Sequence, residues 1–492
     1  QPPLLYHKQV LPWHALFLVL VGLLGLFKMV NADIWWHLRT GELILERGSV
    51  PRTDWYTYTN PDSPWIDLHW LFQLAAWGTY SLAGSTGLVI TKCLVGMAAF
   101  LACLSIRRRH WDASIDMLCW IIPAFLFSGR FLVRPEVMTI AFLAATLLVI
   151  HSAERRPRLL WCLPAIQLLW VNTQSLFVLQ WVVIACYSAE LLVRRLFTET
   201  SRPPFSLRQW WAAVATTMVA TLCNPYFIRG ALFPLVVFAK VRGSGREFFH
   251  NLAAELRGPV DLVSEYGLAR VIMQPTSLLL IALFGAALSV TLLRWKRGDL
   301  EIFRTLLLLG FSYLAIQMSR NSALFAVVAG YVLRWNLGEL VELPGSSLAK
   351  KSSGLRASLQ TIAGLLILAA IVFVGSGRHH SRMRQLPAFE FGIGESAWYP
   401  HAAGKQLLEE GMPNRFYAQH LGIAAVCLKY ASPEKRVFVD ARLETNSHQT
   451  LTAYLTIQEG LSSSPQSALD LLAEGLGPMD WPAIVIANDQ LV

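Results

Sequence analysis

Residues 33–74 read DIWWHLRTGELILERGSVPRTDWYTYTNPDSPWIDLHWLFQL, and they follow directly on the apolar run 11–31. An acid, paired tryptophans and a histidine therefore stand where a hydrophobic run of membrane-crossing length gives way to a polar loop. If this stretch is helical, Asp33 and His37 lie four residues apart and share a face. An acid so placed can take a proton from a hydroxyl attacking a lipid-linked electrophile. The alternative reading is an aspartate at a helix start beside an aromatic belt at headgroup level. Asp33 and His37 could also ligate a divalent cation, although two side chains make an incomplete ligand set.

Outward from this loop the chain is apolar. Of its 492 residues 54% are hydrophobic and 15% charged, against about 25% charged in a soluble domain. Further apolar runs fall at 86–106, 115–130, 136–151, 158–172, 176–193, 210–224, 276–293, 302–318, 322–336 and 358–375. With 11–31 these predict eleven spans, although several fall short of the roughly 20 residues an upright helix needs. A soluble enzyme, a disordered chain and a disulfide framework are excluded. Six of the seven cysteines (Cys93, Cys103, Cys119, Cys162, Cys186 and Cys223) sit inside apolar runs, and Cys427 stands alone near the C-terminus. They read as small core residues. The first apolar run carries no cleavage pattern, so no cleavable signal peptide is expected.

The net charge of +10 does not imply a nucleic-acid partner, because the basic residues fall in short clusters between apolar runs. Those clusters are Arg107–Arg109, Arg155–Arg158, Arg194–Arg195, Arg294–Arg297 and Lys350–Arg356. The stretch 65–84 contains Asp67 and His69 and could cross or lie along the surface. If it lies along the surface, every cluster falls on the side of the N-terminus, as the positive-inside rule requires. This predicts a cytoplasmic N-terminus, a long external loop 32–85 and a membrane domain 1–375. It also places Arg130, Arg134, Asn172, Asn224, Arg229, Arg320 and Asn321 at external helix ends. Polar residues at membrane depth mark a site facing a cavity. Residues 240–275 are too charged to span and read as external amphipathic helices. Residues 376–492 read as an external α/β domain, cut short at Val492. Strands are expected at 435–442 and in PAIVIAND, with helices at 448–460 and 466–476. Asp440 and Arg442 share one strand face and are expected to pair. His379–His380 reads as part of a solvated basic linker.

The loop quoted first resembles the first external loop of bacterial multi-spanning proteins related to the GT-C glycosyltransferases. Arg134-Pro135, Trp170-Val171-Asn172, Asn224-Pro225-Tyr226, Arg320-Asn321 and Val437-Phe438-Val439-Asp440-Ala441-Arg442 recur in the expected order, so the resemblance covers nearly the whole chain. It departs after Asn172, where Thr173-Gln174-Ser175 replaces a His-Gly pair, and Asp33-Ile34-Trp35 is not a paired-acid motif.

The resemblance implies an all-α polytopic fold of about eleven transmembrane helices with a small external α/β domain, in the bacterial inner membrane. It implies a transferase using a polyprenyl-phosphate sugar donor, similar to the protein O-mannosyltransferases and aminoarabinose transferases, with Asp33 as catalytic base. Arg130, Arg134 and Arg320 would hold the phosphate, since a guanidinium meets phosphate oxygens with two charge-assisted hydrogen bonds. His37, Asn172, Asn224 and Asn321 would contact substrate, and Trp35, Trp36 and Trp65 would stack on sugar or anchor in the membrane. Two other roles fit the same residues: a polysaccharide polymerase or ligase, and a non-catalytic assembly subunit that kept the fold.

Overall fold

The computed structural model describes residues 3–106, 112–197, 205–242, 256–298, 301–342, 353–382, 389–442, 444–463 and 482–486, with Gln466, Asp470 and Leu472. Each apolar run expected to span forms helix. The first nine helices are α1 (Pro3–Gly25), α2 (Asp33–Arg47), α3 (Trp70–Ser105), α4 (Ala113–Ser128), α5 (Glu136–Ala153), α6 (Cys162–Val171), α7 (Val178–Phe197), α8 (Leu207–Leu222) and α9 (Ile228–Arg242). Later apolar helices are Pro275–Lys296, Ile302–Gln317, Ser322–Glu342 and Ser353–Gly375. Among the described residues, six helices are long and apolar enough to cross a membrane on length and composition alone. The chain is a multi-pass membrane protein.

Local chemistry sets the boundaries. Asp112 caps α4 by accepting from the Ser114 N–H at 2.9 Å. Ser206 and Gln209 form a reciprocal capping box at the start of α8, which satisfies two of the amide groups a helix start leaves open. Helix α3 is interrupted at Gly84, whose φ of 58° and ψ of −156° suit a residue without Cβ. Residues 70–83 thus form a helix distinct from 85–105. Helix α9 has no counterpart in the sequence reading, because Pro234, Lys240 and Arg242 shorten its apolar run. The 240–275 segment gives short helices Pro259–Tyr266 and Leu268–Ile272, while 243–255 lies outside the described residues.

The basic clusters that can be placed gather at one end of the bundle. Arg294 meets Glu339 at 2.6 Å, Arg304 meets the same carboxylate at 2.8 Å, and Arg194 meets Glu190 at 2.5 Å. Glu190 also accepts the Ile302 and Phe303 amides at 2.7 and 3.0 Å, so it serves as the missing cap of the helix from Ile302. Arg107–Arg109 and Lys350–Lys351 lie outside the described residues. The start of α5, with Arg130, Arg134 and Glu136, stands at the opposite end.

At that end the first loop and the C-terminal unit share one core. The unit holds a three-stranded parallel sheet in order β2–β1–β3, from β1 (Arg415–Ala418), β2 (Arg436–Val437) and β3 (Ala483–Val485). The expected strand 435–442 shrinks to β2, because from Phe438 onward the chain turns into the first loop. Central β1 was not foreseen, as four residues are too few for alternation to show. Helix His448–Ser463 matches expectation, whereas 466–476 is mostly outside the described residues. The first loop adds to the sheet edge: the Val437 N–H donates to the Tyr56 carbonyl at 2.8 Å and the Tyr58 N–H to the Val437 carbonyl at 3.1 Å.

This junction buries the tryptophans. Trp35, Trp36 and Trp65 are 0%, 5% and 1% exposed, so they neither anchor in the membrane nor offer a face to a sugar. Arg442 closes the core. It is fully buried, pairs with Asp440 and with Asp54 of the first loop, and lies 4.2 Å over the Trp65 ring. Asp54 also accepts from Thr57 and from the Tyr56 N–H. Burial opposes its ionisation, but Arg442 and these donors hold it below the ordinary carboxylate range.

Removing Arg442 leaves two carboxylates buried without a cation. Arg442→Leu is expected to cost about 3–5 kcal/mol, read as a lowered thermal midpoint and faster proteolysis of the C-terminal unit. An unchanged midpoint would show that the junction does not depend on this ion pair.

Candidate functional site

After α1 ends at Gly25, the chain runs extended along residues 389–396. The Lys28 N–H donates to the Glu390 carbonyl at 2.8 Å, the Met29 N–H to the Gly394 carbonyl at 2.9 Å, and the Ser396 N–H to the Met29 carbonyl at 2.9 Å. Tyr399 donates its hydroxyl to the Asn31 carbonyl at 3.0 Å, and Asn31 Oδ1 accepts the Asp33 N–H at 3.1 Å. This strap fixes where α2 starts. Asp33 is its first residue, where the positive end of the helix dipole favours a carboxylate.

Across from it, Asp33 pairs with Arg134 in the turn between α4 and α5. Two residues on, Glu136 opens α5, pairs with Arg130 at 2.5 Å, and lies among the guanidinium groups of Arg130, Arg134 and Arg320. Arg320 and Asn321 come from the short turn Ser319–Asn321. That turn is pinned by the Ser319 N–H and hydroxyl, which donate to the Arg257 carbonyl at 2.9 and 2.6 Å. Gly258 packs so close that a Cβ would stand 2.4 Å from the Ile316 carbonyl oxygen. Arg130, Glu136, Thr139, Leu176, Arg320 and Asn321 line one recess. Asp33, Arg130, Arg134, Arg320 and Asn321 therefore converge at one end of the bundle, although they come from three separate stretches of chain.

The other expected site residues do different work. His37 is buried, with its ring 3.6 Å from that of Trp36 and Nδ1 3.3 Å from Gln73 Nε2. Burial first, then the charges of His69 and Arg134, holds it well below the usual histidine range, so it is neutral at pH 7. Asn172 joins three helices: its Oδ1 accepts the Trp70 indole N–H at 2.9 Å, and Nδ2 donates to the Leu168 and Cys223 carbonyls at 2.8 and 2.9 Å. Asn224 builds its own turn, accepting the Tyr226 N–H at 2.9 Å and donating to the Thr221 and Phe227 carbonyls at 3.0 Å each. Both asparagines thus commit their amide hydrogens to backbone carbonyls and tie local structure together.

Glu136, Asp67, His69 and Glu444 were not singled out as site residues by the sequence. The Asp-x-His spacing just before a helix start was the available signal for two of them. Among the described residues, no group of three His, Cys, Asp or Glu side chains is placed to hold a metal ion. Asp33 faces the Arg134 guanidinium and His37 the Gln73 amide.

No family model matches the chain, and no curated protein matches it. Solved structures do. The apo oligosaccharyltransferase of Archaeoglobus fulgidus superposes with a TM-score of 0.58 at 12% identity, covering 94% of this chain and 68% of that one. The same enzyme tethered to an acceptor peptide containing the NVT sequon gives 0.53 at 12% identity, with the same coverage. Apo ArnT from Cupriavidus metallidurans gives 0.52 at 13% identity over 98% of this chain and 94% of that one. This is the GT-C fold. Within this fold, the first loop, the C-terminal unit and the polar ends of the helices enclose the Asp33–Arg134 pair.

Asn172→Ala should lower stability by about 1–3 kcal/mol, the cost of leaving its buried partners unpaired. Thermal unfolding in detergent measures this. A wild-type midpoint combined with weakened substrate binding would return Asn172 to the ligand-contacting set.

Proposed function

We propose that the chain is a membrane transferase that moves a sugar from a polyprenyl-phosphate donor to an acceptor hydroxyl, on the external face of the bacterial inner membrane. The observation that carries this reading is the Asp33–Arg134 pair beside the recess lined by Arg130 and Arg320. It sets Asp33 on Arg134, and Glu136 among the guanidinium groups of Arg130, Arg134 and Arg320, where the polar loop meets the bundle. The GT-C fold of the oligosaccharyltransferase and of ArnT supports the reading.

In this mechanism the lipid tail lies against the apolar helices and the donor phosphate meets Arg130, Arg134 and Arg320. An arriving phosphate competes with Asp33 for Arg134 and leaves the carboxylate available as a base. The acceptor oxygen then bonds to the anomeric carbon as the bond from that carbon to the phosphate oxygen breaks. The acceptor proton passes to Asp33. Negative charge grows on the departing phosphate, so the arginines stabilise the transition state more than the ground state.

A second reading, a non-catalytic assembly subunit, is favoured by the same ion pair: a carboxylate held by Arg134 is also a structural tie, and a fold does not confer an activity. The two readings part on one substitution. Asp33→Asn is nearly isosteric but cannot take the proton, so transfer should fall by about 10²–10⁴-fold. Arg320→Ala should lower it by about 10²–10³-fold. The measurement is complementation of a deletion strain at matched protein level, with glycan products analysed alongside. Full complementation by Asp33→Asn would sink the transferase reading and leave the assembly role.

A further inference from the structure

Helix α9 keeps both of its ends on one side of the bundle. Just ahead of it, the Tyr226 hydroxyl donates to the Pro51 carbonyl of the first loop at 2.5 Å. Near its other end, Lys240 Nζ donates to the Asn446 and Glu444 carbonyls of the C-terminal unit at 2.9 and 3.4 Å. Its 15 residues reach about 22 Å at about 1.5 Å per residue, short of a hydrocarbon core about 30 Å thick. A crossing helix would carry Lys240 to the far end, away from the C-terminal unit. Helix α9 therefore runs along the end of the bundle instead of through it.

Its two faces differ. Inward, Gly230 lies against the Asn224 side chain with no room for a Cβ, and Phe233 is buried. Val237 packs against both the bundle core and the core around Tyr417 and Tyr454 of the C-terminal unit. Outward, Ile228, Leu232, Leu235 and Ala239 follow one another at the spacing of a single helical stripe, and all are exposed. Leu235 and Val236 keep 59% and 60% of their exposure. An apolar stripe this long marks a surface that meets something other than water. The stripe also continues a surface already in the bilayer: Val219 of the spanning α8, then Cys223 and Phe227, are exposed at every fourth position up to the start of α9. Arg229 stands exposed beside the stripe, with no ion pair among the described residues.

We propose that α9 lies in the plane of the membrane, with Ile228, Leu232, Leu235 and Val236 among the acyl chains of the adjoining leaflet and Arg229 on the phosphate of an anionic phospholipid. An amphipathic helix with a cation at its polar edge binds a bilayer surface by these two attractions together. A headgroup of net negative charge meets the guanidinium unopposed, whereas a choline or ethanolamine would offset the phosphate. The proposal does not need the transferase reading, but it bears on the recess. Helix α9 lies against the turn Ser175–Phe177, and Leu176 of that turn lines the recess with Arg130 and Arg320. An in-plane α9 holds the recess at headgroup height, level with any phosphate carried on a lipid.

The test places the photoreactive residue p-benzoylphenylalanine at Leu232, Leu235 or Val236, one position at a time. The full-length protein is used, in nanodiscs of phosphatidylcholine and phosphatidylglycerol in equal amounts. After illumination, intact mass reads what each position touches. All three should gain the mass of a phospholipid, as the same residue at Val219 of α8 does in a parallel sample. These positions face outward, so the probe does not disturb the core. At Leu232, one turn along from Arg229, phosphatidylglycerol adducts should outnumber phosphatidylcholine adducts about 5-fold, the worth of one arginine near an anionic surface. Arg229→Gln should bring the two lipids to parity, and Arg229→Lys should keep the preference. Absence of lipid adducts at all three positions while Val219 reacts overturns the proposal, because the helix then stands clear of the bilayer. Adducts to a second copy, or to another protein when the experiment is run in cells, overturn it as well, because the stripe is then a protein interface. Parity in the wild type, or a preference that Arg229→Gln leaves unchanged, overturns the headgroup contact of Arg229.

Discussion

A single guanidinium in a dry place organises this molecule. Arg442 sits between Asp54 of the first loop and Asp440 of its own segment, under the ring of Trp65. None of these charges tolerates burial alone. The loop therefore seats against the C-terminal unit in one register, and the main-chain exchange around Val437 follows that register. Trp65 is buried by the same contact, while the strap along 389–396 sets the start of α2 separately. The site is arranged by a contact that itself performs no chemistry.

What that arrangement produces is a graded electrostatic surface at one end of the bundle. Arg130, Arg134 and Arg320 supply positive charge around Glu136, Asp33 answers Arg134, and Asp67 stands beside His69. The opposite end is built differently. Its arginines are spent on Glu190, Glu301 and Glu339, in ties within helices and between them. The same residue types thus serve cohesion at one end and leave a recess at the other.

The helices were legible in the sequence because membrane burial is a matter of local composition: a run of apolar residues announces itself without reference to the rest of the chain. The arginines were legible for a related reason, since charge at membrane depth is conspicuous. The tryptophans were not. Trp35 and Trp36 at a helix boundary carry the pattern of a headgroup belt, but Tyr399, His401 and Lys429 cover Trp35 from far along the chain and Trp65 lies against Trp36. Asn172 and Asn224 each have the polarity of a binding group, and their amide hydrogens go to carbonyls, those of Leu168 and Cys223 for Asn172 and those of its own turn for Asn224. Strand β1, four residues long, carried no period, and 435–442 carried a strand period that the turn at Phe438 cut short.

The first loop and its partner are separated by most of the chain. Asp54 meets Arg442 across 388 positions, and the Thr59 hydroxyl meets the Phe438 carbonyl across 379. During synthesis from the N-terminus the loop emerges long before anything that can cover it. Its tryptophans and Asp54 must wait, solvated, while the intervening helices enter the bilayer. The end that bears Asp33 and Arg134 is therefore the last part to take shape. A chain stalled between residue 375 and residue 442 has all its apolar helices but lacks the contacts that seat its first loop.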